Sequence, residues 1–138
     1  IIKRNIIGWY MFGENDFLAP ETARSLSPVT LAFVGDAVYS LYVREQLVRS
    51  ADFKAGQLNK LSSQKVSAHG QSELAERIVP LLTEEEAEVY RRGRNAKKTA
   101  RAKHATVSEY NRSTGFEAVM GYLYLTGRYD RIEALLKD

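Results

Sequence analysis

Residues 28–48, PVTLAFVGDAVYSLYVREQLV, have almost no polar face before Arg44. Ser27 stands as an N-cap and Pro28 at the first helical position, so the segment reads as a helix. Leu31, Val34, Val38, Leu41 and Val48 recur at helical spacing, and Phe33, Val43 and Leu47 lie on the opposite side. A helix that is apolar all round must be central or be covered by a partner chain. Its middle nevertheless holds Gly35 and Asp36. Glycine costs about 1 kcal/mol there relative to alanine. An unpaired buried carboxylate costs more or takes up a proton. Asp36 therefore needs a compensating partner.

The rest of the chain also reads as helices. KAGQLNKLSSQKVSAHGQSELAERIVPLL suggests two, broken near Ser62 or near Gly70. LTEEEAEVYRRGRNAK opens on the capping box Thr83-x-x-Glu86 and is expected to end near Gly93. STGFEAVMGYLYLTG is a second apolar helix, and YDRIEALLKD a last amphipathic one. No segment alternates as a strand, and no tandem repeat or linker is present, so the expected class is all-α. The chain's 138 residues and 44% apolar composition suit one compact domain over 16–138. Residues 1–15 are expected to be an accessory segment. Their basic residues and short apolar run imitate a signal peptide, but ENDFL follows where a small-residue cleavage site would stand.

Zero cysteines exclude disulfides, thiolate zinc sites and cysteine nucleophiles, and fit a cytoplasmic location. No stretch approaches the roughly 20 apolar residues of a membrane span. The two histidines, His69 and His104, are far apart and read as surface residues or phosphate contacts, so a divalent metal would need carboxylates. The net charge of +3 leans toward a polyanionic partner. Tyr39, Tyr42, Tyr122 and Tyr124 read as core or dimer packing.

Three features could carry chemistry. Asp36 has no cation at i±3 or i±4, and is either a structural acid paired with an arginine from another helix or a metal ligand. Glu117 lies in the second apolar helix. It either closes a Thr114-x-x-Glu117 capping box or joins Asp36 in the oxygen-rich site that Mg²⁺ prefers. Third, RRGRNAKKTARAKH places Arg91, Arg92, Arg94, Lys97, Lys98, Arg101 and Lys103 together with no acid among them. That tract is either a solvated loop or a grip on a phosphate backbone, with Tyr110, Asn111 and Arg112 able to extend it toward the acids.

In order and spacing, LAFVGDAVYSLYVR, RRGRNAK and STGFEAVMGYLYL resemble the ribonuclease III catalytic-domain family, in its short Mini-ribonuclease III branch, over about Ser25–Leu136. The resemblance implies a helical homodimer that cuts double-stranded RNA with Mg²⁺, Mn²⁺ being able to substitute, and leaves 5′-phosphate products. It places Asp36 and Glu117 on the two core acidic positions, as catalytic residues and metal ligands. The two outer acids of the longer enzymes are replaced by Ala32 and Thr114, as the short branch has it. The separate double-stranded RNA-binding domain of those enzymes is not found here, so Arg91, Arg92, Arg94, Lys97, Lys98, Arg101, Lys103 and Arg112 become the candidate RNA contacts. Gly35 is expected where two copies of the signature helix meet, and the partner acid and metal are expected to compensate a buried Asp36. The implied substrate is precursor large-subunit ribosomal RNA, with a ribosomal protein as a further candidate partner. The rival readings are a non-catalytic RNA-binding or ribosome-associated protein on the same fold, and a helical DNA-binding or protein-interaction domain.

Overall fold

The computed structural model describes residues 16–98 and 104–137. They form α1 (Pro20–Arg24), α2 (Pro28–Ser50), α3 (Ala55–Val66), α4 (Ala68–Ile78), a 3-10 turn (Val79–Leu81), α5 (Glu84–Asn95), α6 (Val107–Leu125) and α7 (Tyr129–Leu136). No strand occurs among the described residues, and the class is all-α as expected. Residues 1–15, Arg101 and Lys103 lie outside them.

Local capping chemistry sets most helix starts. Ser27 Oγ accepts the Val29 amide at 3.2 Å, with Pro28 in the first turn. The break between α3 and α4 falls at Ser67, between the two expected places, where the serine caps α4 through the Gly70 amide. Thr83 and Glu86 form their capping box. Glu86 is 2% exposed and is also held by Arg131, through Nε and Nη2, at 2.9 Å each. Helix α5 runs past Gly93 to Asn95, because Gly93 serves close packing on Gly115 of α6 rather than a stop.

Helix α6 is the centre of the fold. Phe116, Ala118, Val119, Met120, Tyr122 and Leu123 have no exposed surface. The helix packs against α1, α2, α4, α5 and α7, which explains why it is apolar on every side. On α2 the buried row is Leu31, Gly35, Tyr39, Val43 and Leu47, an i+4 ridge. The stripe expected from periodicity is not the buried one. Val34 and Val38 are half-buried, and Leu41 and Val48 are exposed. Apolarity alone could not choose a face on such a helix; the residue that chose it is Gly35.

A Cβ on Gly35 would collide with the Glu117 carbonyl and stand 2.8 Å from the Gly121 nitrogen. One on Gly121 would in turn meet the Leu31 carbonyl. The two helices thus cross backbone on backbone within one chain. This corrects the expectation that Gly35 marks the meeting of two copies of α2.

Candidate active site

The glycine crossing decides where the acids go. Asp36 follows Gly35 on α2, and Glu117 is the residue whose carbonyl Gly35 touches. Their carboxyl groups are hydrogen-bonded to each other. Ionising both would set like charges side by side, which favours the protonated form of Glu117. Burial first, then the hydrogen bond and charge of Asp36, push the Glu117 carboxyl up to about 8, while a hydrogen bond from Gln71 pulls the other way.

The two acids differ in access. Glu117 is half-buried on the inner side, whereas Asp36 is exposed in the single chain. The expectation of a buried Asp36 is therefore corrected. Its helix is apolar all round, but its own position lies off the buried i+4 ridge. The pair thus joins a half-buried carboxyl on α6 to an exposed one on α2.

The local geometry rules out the capping role for Glu117. Helix α6 starts at Val107, capped by Thr106 with Glu109. Thr114 lies well inside it and donates its hydroxyl to the Tyr110 carbonyl at 3.0 Å, so it caps nothing for Glu117. The carboxyl of Asp36 faces that of Glu117, and no salt bridge joins it to an arginine among the described residues. Ala32 and Thr114, one turn before each acid, are buried at 5% and 6% exposure, and neither side chain has a carboxylate to add.

Sequence reasoning missed Gln71. It is 1% exposed on α4, donates Nε2 to the Val66 carbonyl at 3.0 Å, and reaches Glu117. Its signal was present: Gln71 and Ser72 share the buried side of α4 with Ala75 and Ile78, where apolar residues belong.

Among the described residues no group of three or more His, Cys, Asp or Glu could hold a metal. A divalent cation here would have two carboxylates from the protein. That donor set suits Mg²⁺, which keeps several waters and takes one or two carboxylates plus substrate phosphate. A cation there would take the place of the proton that Glu117 holds.

The basic tract divides. Arg91, Arg94 and Lys97 are exposed at the end of α5 and just beyond it, Arg94 lying 5.9 Å from the Tyr90 ring centroid. Arg92 turns inward, donating to the carbonyls of Arg24 at 2.7 Å and Leu26 at 3.2 Å. Lys98 donates to the carbonyls of Arg94 and Ala96 and to Asn111 Oδ1. Arg112 donates to Ser72 Oγ and Ser108 Oγ at 2.7 Å each. His104 is exposed, and His69, also exposed, bonds Glu109, which raises its pKa.

The sequence profile of the Ribonuclease III domain matches residues 29–128. Mini-ribonuclease 3 of Thermoanaerobacter sp. (strain X514) is 45% identical over 91% of this chain and 89% of its own length. Mini-ribonuclease 3 of Clostridium tetani is 37% identical over 93% and 84%. An X-ray crystal structure of a protein from Fusobacterium nucleatum superposes with a TM-score of 0.75 at 32% identity, covering 81% of this chain and 89% of that one.

Proposed function

The chain belongs to the ribonuclease III domain family, and from that premise we propose that it is a Mg²⁺-dependent endoribonuclease specific for double-stranded RNA. The observation that carries the reading is the Asp36–Glu117 pair, set side by side by the Gly35–Gly121 crossing.

In this reading Asp36 and Glu117 hold the ion, with Mn²⁺ able to replace Mg²⁺. Bound there, the ion supplies charge neutralisation at the phosphodiester and lowers the pKa of water. Glu117 keeps a proton while the site lacks a cation and gives it up as a cation enters, which makes binding pH-dependent. Asp36, the exposed acid, sits where the scissile phosphate arrives. The cut leaves a 5′-phosphate and a 3′-hydroxyl.

Arg91, Arg94, Lys97, Arg101 and Lys103 are proposed to contact the duplex through its phosphates. Arg92, Lys98 and Arg112, with their bonds to carbonyls and hydroxyls, would shape that surface and add charge from behind. Recognition would follow A-form shape and 2′-hydroxyls more than base identity.

A homodimer is part of the proposal. Val29, Phe33, Leu41 and Val48 are 44, 82, 58 and 66% exposed along the outer side of α2. An exposed apolar row of that kind fits a second copy of the same helix, as a two-fold axis requires. One site for each strand then gives a staggered cut.

Among the described residues no helix is long and apolar enough to cross a membrane. We place the enzyme in the cytoplasm, acting on precursor large-subunit ribosomal RNA, with a ribosomal protein as a candidate presenter. Residues 16–138 are taken as the catalytic domain.

The test is cleavage of an end-labelled RNA duplex beside a DNA duplex of the same sequence, with Mg²⁺ or with EDTA. Cutting of RNA alone, and only with Mg²⁺, is expected. Cutting in EDTA, cutting of the DNA, or no cutting with either Mg²⁺ or Mn²⁺ contradicts the proposal.

A further inference from the structure

Gln71 has no part in the chemistry assigned above, yet its place is tightly fixed. Gly70 carries no Cβ, and one placed there would stand 2.5 Å from the Gln64 carbonyl oxygen and 2.6 Å from that of Lys65. The first turn of α4 therefore lies against the last turn of α3. That contact brings Gln71 Nε2 to 3.0 Å from the Val66 carbonyl. A carbonyl accepts only a donor, so the side-chain amide is held with its NH₂ toward Val66. The same side chain lies close enough to Glu117 to hold its pKa down.

Oε1 is what remains. It is the only buried side-chain nitrogen or oxygen without a hydrogen-bond partner among the described residues. An unfilled buried acceptor is destabilising, and an apolar side chain of the same length would avoid it. The donors that a carboxylate pair can attract are the waters around a cation. Mg²⁺ retains such waters, and with only two protein carboxylates on hand several would remain.

We infer that Gln71 is a positioning residue of the cation site: its NH₂ aligns the Glu117 carboxylate, and its Oε1 accepts a hydrogen bond from a hydration water of the divalent ion. Gln71 thereby adds a third protein contact without adding a third negative charge. Partners behind the direct ligands of a metal commonly set its affinity. The inference rests on the reading of Asp36 and Glu117 as metal ligands.

The experiment is Mn²⁺ titration calorimetry on the full chain, comparing wild type, Gln71→Met and Glu117→Gln. It is paired with NMR of the wild-type Gln71 side-chain NH₂ during Mg²⁺ addition. Methionine keeps the length and removes both hydrogen-bonding atoms. Gln71→Met is expected to keep its metal-free Tm and RNA affinity while binding Mn²⁺ roughly 10–100-fold more weakly. The wild-type NH₂ signals are expected to move as Mg²⁺ fills the site. Mn²⁺ affinity within about twofold of wild type, or NH₂ signals that stay still while the ion binds, overturns the role of Gln71 and leaves the Asp36–Glu117 site intact. If Gln71→Met does not fold, the wild-type NMR signals decide alone. If wild type binds neither ion, or Glu117→Gln binds as well as wild type, the metal-site reading fails and the role of Gln71 falls with it.

Discussion

Gly35 of α2 rests on the backbone carbonyl of Glu117 in α6, with no room between them for a methyl group. The contact joins fold and site, because Asp36 is the next residue on α2 and its carboxyl meets that of Glu117. Gly35→Ala sets two effects against each other. Alanine favours the helix by about 1 kcal/mol. The clash with the α6 backbone at Glu117 and Gly121 costs about 3 kcal/mol, at the upper end of overpacking effects. A net loss of about 2 kcal/mol is expected in urea unfolding, with loss of cleavage even where the variant is folded. Unchanged stability would show that the crossing is looser than described.

The raised Glu117 carboxyl gives stability a definite pH dependence. The folded chain keeps this proton to about 8, while the unfolded chain releases it near 4.5. Between those values the folded state binds more protons, so the contribution of Glu117 to stability falls as pH rises. In EDTA, Glu117→Gln is expected to be more stable than wild type at pH 8, with the gap closing toward pH 5. Mg²⁺ should restore wild type at pH 8 and leave the variant unmoved. Thermal melts across that range check both statements.

Arg131 is bound twice by Glu86, which has almost no exposed surface. Burial alone would raise the Glu86 carboxyl, but the bonds from Arg131 and Thr83 outweigh it and hold its pKa down. Removing the arginine leaves an unpaired buried charge. Arg131→Ala should therefore lose about 3 kcal/mol in denaturant unfolding. Cleavage well below its Tm should persist, because the pair is bonded to neither Asp36 nor Glu117.

The cations of α5 should separate by function. Arg91→Ala and Arg94→Ala remove exposed charges, and each is expected to weaken RNA binding and lower its salt slope by about 1. Neither should change stability by more than about 0.5 kcal/mol. Arg92→Ala instead removes two charged hydrogen bonds to main-chain carbonyls and should lose about 2 kcal/mol of stability. Filter binding at several salt concentrations, beside thermal melts, distinguishes the two classes.

What could be read from the sequence was mostly what short-range chemistry fixes. Ser27 with Pro28, and Thr83 with Glu86, stood where the caps formed. Asp36 and Glu117 could be singled out because each interrupts an apolar helix. The buried face of α2 could not be read, since both of its sides carry apolar residues and the choice depends on Gly35 meeting the backbone of α6 at Glu117 and Gly121. The start of α6 was also obscured, because its first turns from Val107 are polar and the apolar run begins only later. Gln71 shares the apolar side of α4 with Ala75 and Ile78, which marks it as buried, but that it lies by Glu117 shows only once α6 is laid over it. Arg92 likewise looks like part of a basic tract until α1 and the residues after it place their carbonyls on it.

The most direct measurement of the central claim is single-turnover cleavage of an RNA duplex by Asp36→Asn and Glu117→Gln, with RNA affinity and folding measured on the same samples. If the paired carboxyls are the active site, both variants fold, bind the duplex as wild type does, and show no detectable cleavage with Mg²⁺. Wild-type cleavage by either variant would contradict the assignment and leave the pair a structural feature of the α2–α6 crossing.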